Sequence, residues 1–84
     1  MTRFFAEGEA IPVVCDAEGT PLRFTWRGRE YRVQIVSERW RIDEGWFQVR
    51  VWREYFKVAT ESHTLILLFH DLLSGSWYLQ RVYD

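Results

Sequence analysis

Cysteine, lysine and long apolar runs are almost absent from this chain, and each absence narrows what the protein can be. Cys15 is the only cysteine in 84 residues, which excludes an intrachain disulfide and a cysteine-rich zinc site. So little cysteine suits a reducing compartment, and we expect a cytoplasmic protein. No charged segment followed by an apolar one resembles a signal peptide, and the longest apolar run, residues 65–69, is too short to cross a bilayer. We therefore expect no membrane partner.

The charge is balanced and the aromatic content is high. Eleven Lys and Arg residues oppose 12 Asp and Glu residues, for a net charge of −1, and Lys57 is the only lysine. Acidic and basic residues are interleaved, so the chain lacks the basic field that favours non-specific DNA binding. Aromatic residues make up 18% of the chain and can fill a small core. We expect a single small β domain over residues 1–84, with residues 1–10 as a lead-in segment.

One β-hairpin can be read from the alternation of residues 22–35. With Gly28-Arg29 as a two-residue loop, apolar residues pair on one face: Trp26 with Tyr31, Phe24 with Val33, and Leu22 with Ile35. Glycine at the first loop position favours a type II′ turn. A slip of one residue would mix polar and apolar side chains on both faces, so we expect a well-specified register.

Further strands follow from short apolar segments separated by turns. They are expected over residues 11–16, 36–42, 46–52, 54–59, 64–69 and 77–82, with a β-bulge near Val36-Ser37 and a turn at residues 43–45. No segment has a sustained helical period. The pattern predicts an all-β fold, a small antiparallel SH3-like barrel or a strongly bent meander of about six or seven strands. An OB-like barrel is the alternative, although such barrels usually contain a helix.

The alternation also predicts which residues fill the core. Eight large apolar side chains share the inner faces of the expected strands: Phe24, Trp26, Val33, Trp40, Phe47, Val49, Phe56 and Leu67. In the hairpin formed by residues 54–69, the expected cross-strand pairs are Val58 with Leu65 and Phe56 with Leu67.

The chain offers no arrangement typical of catalysis, metal binding or cofactor binding. His63 and His70 have no neighbouring nucleophile, and Cys15 beside Asp16 lacks the electropositive surroundings of a reactive thiol. The two histidines and one cysteine do not have the spacing of zinc ligands. Glycines occur singly in the turns, so no phosphate-binding loop is expected. We expect no enzyme activity, no metal and no cofactor.

The polar face of the two strands around the turn at 43–45 is the best candidate for a binding site. It is predicted to carry three guanidiniums and two indoles: Arg39, Arg41, Trp46, Gln48, Arg50 and Trp52. Such a face can stack bases and hold phosphates, or form a hot spot for a protein partner, since Trp and Arg are enriched in both kinds of interface. It can also be scaffold, with Arg stems covering buried tryptophans.

Several stretches from Trp26 onward resemble an uncharacterised bacterial domain. They include Trp26-Arg27-Gly28-Arg29, Glu38-Arg39-Trp40-Arg41, Asp43-Glu44-Gly45-Trp46-Phe47, Arg53-Glu54-Tyr55-Phe56, Asp71-Leu72 and the ending from Gly75 to Asp84. A similar segment lies at the C-terminal end of ImuB-type proteins, which are catalytically inactive relatives of Y-family DNA polymerases. The resemblance covers about three-quarters of the chain and implies a context of DNA damage tolerance. It implies no catalytic residues.

We therefore expect a non-enzymatic interaction module that binds a protein partner, in the context of DNA repair or damage tolerance. The rival hypothesis is a module that binds single-stranded nucleic acid through the polar face that carries these arginines and tryptophans. Balanced charge favours the protein partner, whereas the combination of Arg and Trp favours the nucleic acid.

Overall fold

A computed structural model describes residues 2–83, and within that range it contains only β-strands and turns. The predicted all-β class is confirmed. The seven strands are β1 Arg3–Ala10, β2 Val13–Cys15, β3 Pro21–Trp26, β4 Arg29–Trp46, β5 Val49–Thr60, β6 Leu65–Asp71 and β7 Trp77–Tyr83.

All seven strands form one antiparallel sheet in the order β1-β7-β6-β5-β4-β3-β2. The outermost strands β1 and β2 do not pair with each other, so the sheet is a strongly bent meander rather than a closed barrel. The connection between them follows both edges. Ile11 N–H donates a hydrogen bond to the carbonyl of Trp77 at 3.1 Å, and the carbonyl of Pro12 accepts one from Thr25 N–H at 3.2 Å. One continuous segment therefore borders both sides of the sheet.

The segment predicted as a lead-in is in fact strand β1, whereas Met1 lies outside the described residues. β1 pairs with β7, with Arg3 opposite Val82. The ring of Phe5 packs edge-on against Trp26 at 6.4 Å, and the Glu9 carboxylate accepts a hydrogen bond from the Trp26 indole N–H. These contacts anchor β1 to the body of the domain. The side chains that make them are spaced too irregularly along the sequence to predict a strand.

The first hairpin forms between the predicted strands, but its register differs from the prediction by two residues. Trp26 pairs with Arg29 rather than with Tyr31, and Phe24 pairs with Tyr31. The loop is Arg27-Gly28, and both of its residues have positive φ, 51° and 77°. This is the pattern of a type I′ turn rather than type II′. A shift of two residues keeps Phe24, Trp26 and Tyr31 on their predicted buried face, which is why alternation could not detect it. The predicted pair of Leu22 with Ile35 is wrong, because both residues are exposed and the pairing of β4 shifts between Val33 and Ile35.

Strand β4 bends where the sequence predicts a bulge. Its pairing with β5 shifts between Val36 and Glu38, and a further shift occurs between Val33 and Ile35. The extra residues let one long strand follow the curve of the sheet. The bulge predicted near Val36-Ser37 is confirmed.

The hairpin of β5 and β6 is one residue out of the predicted register. Val58 pairs with Ile66 and Phe56 with Leu68. Thr60 N–H donates to the Thr64 carbonyl at 2.9 Å across a three-residue loop that ends with His63 at φ 65°. Residues 65–69 are apolar on both faces, so alternation does not select between registers there.

The main core lies on the concave face of the bent sheet. Four predicted core residues are buried: Phe24, Trp26, Phe56 and Leu67. Val33 is partly buried and packs against the main core, whereas Leu67 belongs to a second cluster with Tyr55 and Phe69. The prediction is wrong for three residues: Trp40, Phe47 and Val49, which are 37%, 93% and 68% exposed. The shape of the β4–β5 hairpin explains these three errors.

Candidate functional site

The β4–β5 hairpin extends beyond the rest of the sheet as a two-stranded arm, residues 43–52. The pairing of β3 with β4 involves β4 residues only as far as Arg32. The pairing of β6 with β5 begins at Arg53. At the base of the arm, Leu72 N–H donates a hydrogen bond to the Trp52 carbonyl at 2.9 Å. Beyond that point no third strand from residues 2–83 lies beside either strand.

The arm turns later than the sequence suggests. The turn predicted at residues 43–45 is wrong, because β4 continues to Trp46 and the loop is Phe47-Gln48. Phe47 has φ 56°, a left-handed conformation that is rare for an aromatic residue. Gly45 instead lies within the strand, opposite Arg50.

The position of the turn decides which predicted site residues share a face. Four of them lie together on the side of the hairpin that continues the concave core face: Arg39 and Arg41 at its root, and Arg50 and Trp52 on the arm. Trp46 pairs with Val49 and lies on the opposite side, so its predicted grouping with the arginines is wrong. Gln48 lies exposed in the turn. We call the side with the arginines the ion-pair face.

A nearly buried carboxylate organises the root of the ion-pair face. Glu54 is 9% exposed, and its Oε2 lies 2.9 Å from Arg39 Nε and 3.5 Å from Arg41 Nη2. Burial acts to raise the pKa of Glu54, but the hydrogen bond and charge of Arg39, with a contribution from Arg41, lower it below its ordinary value. The Arg39 guanidinium also covers the Phe56 ring at 5.0 Å. Glu54 therefore neutralises part of the positive charge predicted here.

A second carboxylate pairs with the arginine on the arm itself. Arg50 Nε and Nη2 each lie 3.1 Å from an Asp43 carboxylate oxygen, in a two-bond arrangement. That hydrogen-bonded pair lowers the pKa of Asp43 and raises the pKa of Arg50. The Arg50 guanidinium also covers the half-buried Trp52 ring at 4.6 Å. Sequence reasoning missed both carboxylates, although Asp43 and Glu54 occupy matching alternate positions on the two strands.

The end of the arm is apolar and exposed. Trp46 is 74% exposed, Phe47 93% and Val49 68%, and the Trp46 and Phe47 rings stack at 5.4 Å. We call these three residues the apolar tip. A shallow depression lies beside it, lined by Trp46, Val49, Val51, Glu44 and Gly45. Sequence reasoning missed the tip because Phe47 and Val49 alternate like core residues.

An aromatic ladder crosses the convex side of the sheet at the base of the arm. Trp40 stacks on Tyr55 at 5.3 Å and 4°, Tyr55 contacts Phe69 at 5.3 Å, and Phe69 stacks on Tyr78 at 4.9 Å. Trp40 is the exposed end, whereas Tyr55 and Phe69 are buried. The ladder stiffens the base from which the arm projects, since each ring packs on the next strand.

The histidines and the cysteine lie apart from this arm or serve structural contacts. The His70 ring stacks on Trp77 at 4.5 Å and 2°, and His63 lies in the β5–β6 loop. Cys15 is half-buried, and burial together with Asp16 raises the pKa of its thiol, which disfavours the thiolate. Within residues 2–83 no three His, Cys, Asp or Glu side chains are grouped as metal ligands would be.

Comparison with known proteins supplies the family of the chain. Across residues 2–83, the structure holds no helix that could span a membrane. No curated protein and no solved structure matches the chain. A family model described as Domain of unknown function (DUF6504) matches residues 1–84, and the chain therefore belongs to that family.

Proposed function

We propose that this chain is a non-enzymatic module that binds a protein partner through the apolar tip of the β4–β5 arm. The observation that carries the proposal is the exposure of Trp46, Phe47 and Val49 side by side at the end of a projecting element. Grouped exposed aromatic side chains cost solubility and are enriched at the centres of protein interfaces. The main core is complete without them.

The chemistry of the arm favours a protein over a polyanion. Arg39 and Arg41 share the carboxylate of Glu54, and Arg50 is paired with Asp43. A nucleic acid would have to displace these pairs before its phosphates could use the guanidiniums. The tip needs only an apolar pocket that accepts an indole and a phenyl ring, which a folded protein partner can supply.

The cellular context is also a proposal. The resemblance to the C-terminal segment of ImuB-type proteins supports DNA damage tolerance as the first context to examine. The single cysteine, with its half-buried thiol, supports a cytoplasmic location. Proteins that bind damage-tolerance polymerases are therefore the first candidates for the partner that supplies the apolar pocket.

The test compares the parent with Phe47→Ser and Trp46→Ser in capture of proteins from a bacterial lysate, followed by titration with the purified partner. We expect each tip variant to lose about 2 kcal/mol or more of binding free energy, since exposed aromatic anchors dominate interfaces. Leu73→Ser is the matched control, because Leu73 is an exposed apolar residue in the β6–β7 turn, away from the arm.

Three results would contradict the proposal. One is retention of the partner by both tip variants. Another is binding of single-stranded oligonucleotide with a steep salt dependence that is lost in Arg41→Ser but kept in Phe47→Ser, which would favour the rival nucleic-acid function. Anionic lipid vesicles serve as a third probe, and tip-dependent binding to them would identify a lipid surface instead.

A further inference from the structure

No described strand pairs with the outer edge of β4 over most of its length, although the β2–β3 turn contacts Arg39, whose Nη1 donates a hydrogen bond to Thr20 Oγ1 at 3.4 Å. On one side, β4 pairs with β5 as far as Trp46, but β3 covers its other side only over Arg29–Arg32. Among the described residues no other strand lies beside the remainder. An exposed strand edge presents free N–H and C=O groups that can pair with another strand.

The hairpin geometry identifies which backbone groups face outward. In a two-residue hairpin the closing pair, here Trp46 with Val49, is hydrogen-bonded, and bonded pairs then alternate along the ladder. The backbone N–H and C=O groups of Arg41, Asp43 and their alternate neighbours therefore point away from β5. By the same alternation, the carbonyl of Trp52 on β5 points away from β4. It accepts a hydrogen bond from Leu72 N–H at 2.9 Å, as this alternation requires.

The charges along this edge are complementary to themselves. We propose that two copies of the chain associate by antiparallel pairing of their β4 edges, with Arg41 of each copy opposite Asp43 of the other. In this register the outward backbone groups of Arg41 and Asp43 meet and exchange hydrogen bonds. On one face Arg41, which lies 3.5 Å from Glu54 in its own chain, comes opposite Asp43 of the other copy, which is paired with its own Arg50, so the ion pairs of the two copies join into one network of alternating charges. On the other face Ile42 meets Ile42 of the second copy at the two-fold axis.

Neighbouring registers that keep the faces matched are less favourable. Moving the axis to Arg41 places two Arg41 guanidiniums directly opposite each other, and moving it to Asp43 does the same with two carboxylates. Like charges directly opposite are destabilising. The edge charges therefore disfavour the neighbouring registers and favour the one that pairs Arg41 with Asp43. Charged side chains commonly limit the pairing of edge strands in this way.

The consequence goes beyond the proposed binding function. Antiparallel pairing directs the two arms in opposite directions, so the pair presents two apolar tips on opposite sides of the two-fold axis. A protein with a single tip becomes a bivalent connector between two partner molecules. In this register Trp46 of each copy comes opposite Glu38 of the other, whereas Phe47 lies in the loop beyond the last pair of the hairpin.

The decisive experiment is a charge exchange, read by light scattering and sedimentation over micromolar to millimolar chain concentration. We expect the parent to show a monomer–dimer equilibrium. Arg41→Asp alone places aspartates opposite aspartates, and Asp43→Arg alone places arginines opposite arginines, so each should self-associate about tenfold or more weakly. An equimolar mixture of the two variants restores both opposite-charge pairs and should recover the dimer.

Arg50→Gln is the matched control for the loss of the pair within the arm. It removes the partner of Asp43 without touching the outer edge, so the dimer should persist. Circular dichroism establishes that each variant is folded, and the mixture keeps the test valid even where a single variant is less stable.

Backbone amide exchange provides an independent reading. The amides of Arg41 and Asp43 should become protected as the concentration rises, whereas the Ile42 amide, directed at β5, should be protected throughout. A monomeric parent at every concentration, or a mixture no more associated than its components, would overturn the proposal. Phe47→Ser should dimerise like the parent, which separates this outcome from failure of the proposed partner binding.

Discussion

The root and the tip of the β4–β5 hairpin are built from similar residues but lie in opposite environments. At the root, Phe56 and Val58 are fully buried between β4, β6 and the concave core. At the tip, Phe47 is 93% exposed and Val49 is 68% exposed. The difference is the presence of neighbouring strands, because a two-stranded ribbon has no layer behind it to bury a side chain.

An apolar residue in this hairpin therefore stabilises the fold only where a third strand is present. The same holds for the charges. Glu54 at the root is buried and shared by two arginines, whereas Asp43 on the arm pairs with Arg50 in solvent. Substitutions at matched positions of the root and the arm test this difference.

The largest effect is expected at Phe56. Phe56→Ala removes a fully buried ring that contacts Trp77 at 5.3 Å and supports the Arg39 guanidinium. We expect a loss of about 3–5 kcal/mol in the free energy of unfolding, a large share of the stability of a small domain. Urea denaturation followed by Trp fluorescence measures it, and a midpoint equal to that of the parent would contradict the assignment of the root to the core.

Glu54→Gln should have the next largest effect, and the effect should depend on pH. The arginines lose their shared carboxylate, and we expect a cost of about 1–3 kcal/mol at neutral pH. Because the pKa of Glu54 is lowered in the fold, the stabilisation is complete above its ordinary value of 4.5 and is lost as the pH falls through the lower folded value. The difference between parent and variant should therefore shrink in acid.

Thermal melts from pH 7 to pH 3 measure that difference. Asp43→Asn is the matched control, since this carboxylate is solvated and we expect little change in melting temperature at any pH in the range. A constant gap between the parent and Glu54→Gln at all pH values would exclude Glu54 ionisation as its source.

Trp40 should give an intermediate result. A fully buried tryptophan replaced by alanine costs about 3–5 kcal/mol. Trp40 is 37% exposed and keeps one stacking partner, Tyr55, so we expect only about 1–2 kcal/mol from Trp40→Ala. The same urea titration measures it, and a loss equal to that of Phe56→Ala would mean that the convex aromatic ladder is as buried as the main core.

The smallest effect on stability is expected at the tip. Phe47→Ala should change the free energy of unfolding by less than about 0.5 kcal/mol, because the side chain is 93% exposed. The positive φ of Phe47 is strained for alanine as much as for phenylalanine. A loss near that of Phe56→Ala would show that the tip packs against the domain, and the proposed docking surface would then be wrong.

The sequence predicts the strands of this fold better than their pairing. Alternation correctly places Phe24 and Trp26 on the buried face, and the change of apolar parity correctly locates the bulge near Val36. Alternation carries only a period of two, so it does not separate the loop Arg27-Gly28 from Gly28-Arg29. Positive φ at Arg27, which decides the matter, has no signature in the residue type.

The candidate site was predicted only in part, because alternation does not show where a hairpin turns. Three arginines and Trp52 do share a face, as their spacing indicates. Trp46 does not, because the turn at Phe47-Gln48 lies beyond the glycine and acidic residues that resemble a turn. Burial of the tip was also predicted wrongly, since an apolar residue at an alternating position is core only if another element covers it. That depends on how far β3 and β6 extend, which local sequence does not encode.

The pairing of β1 with β7 has a consequence for how the protein folds. β1 pairs with β7, so Arg3 and its partner Val82 are far apart in the sequence. Contacts between such distant positions are slow to form, because a long loop must close before they contribute. The hairpins of β3 to β6 join residues close in the chain and can form first. β1 and β7 would then pair last, in the step that completes the sheet.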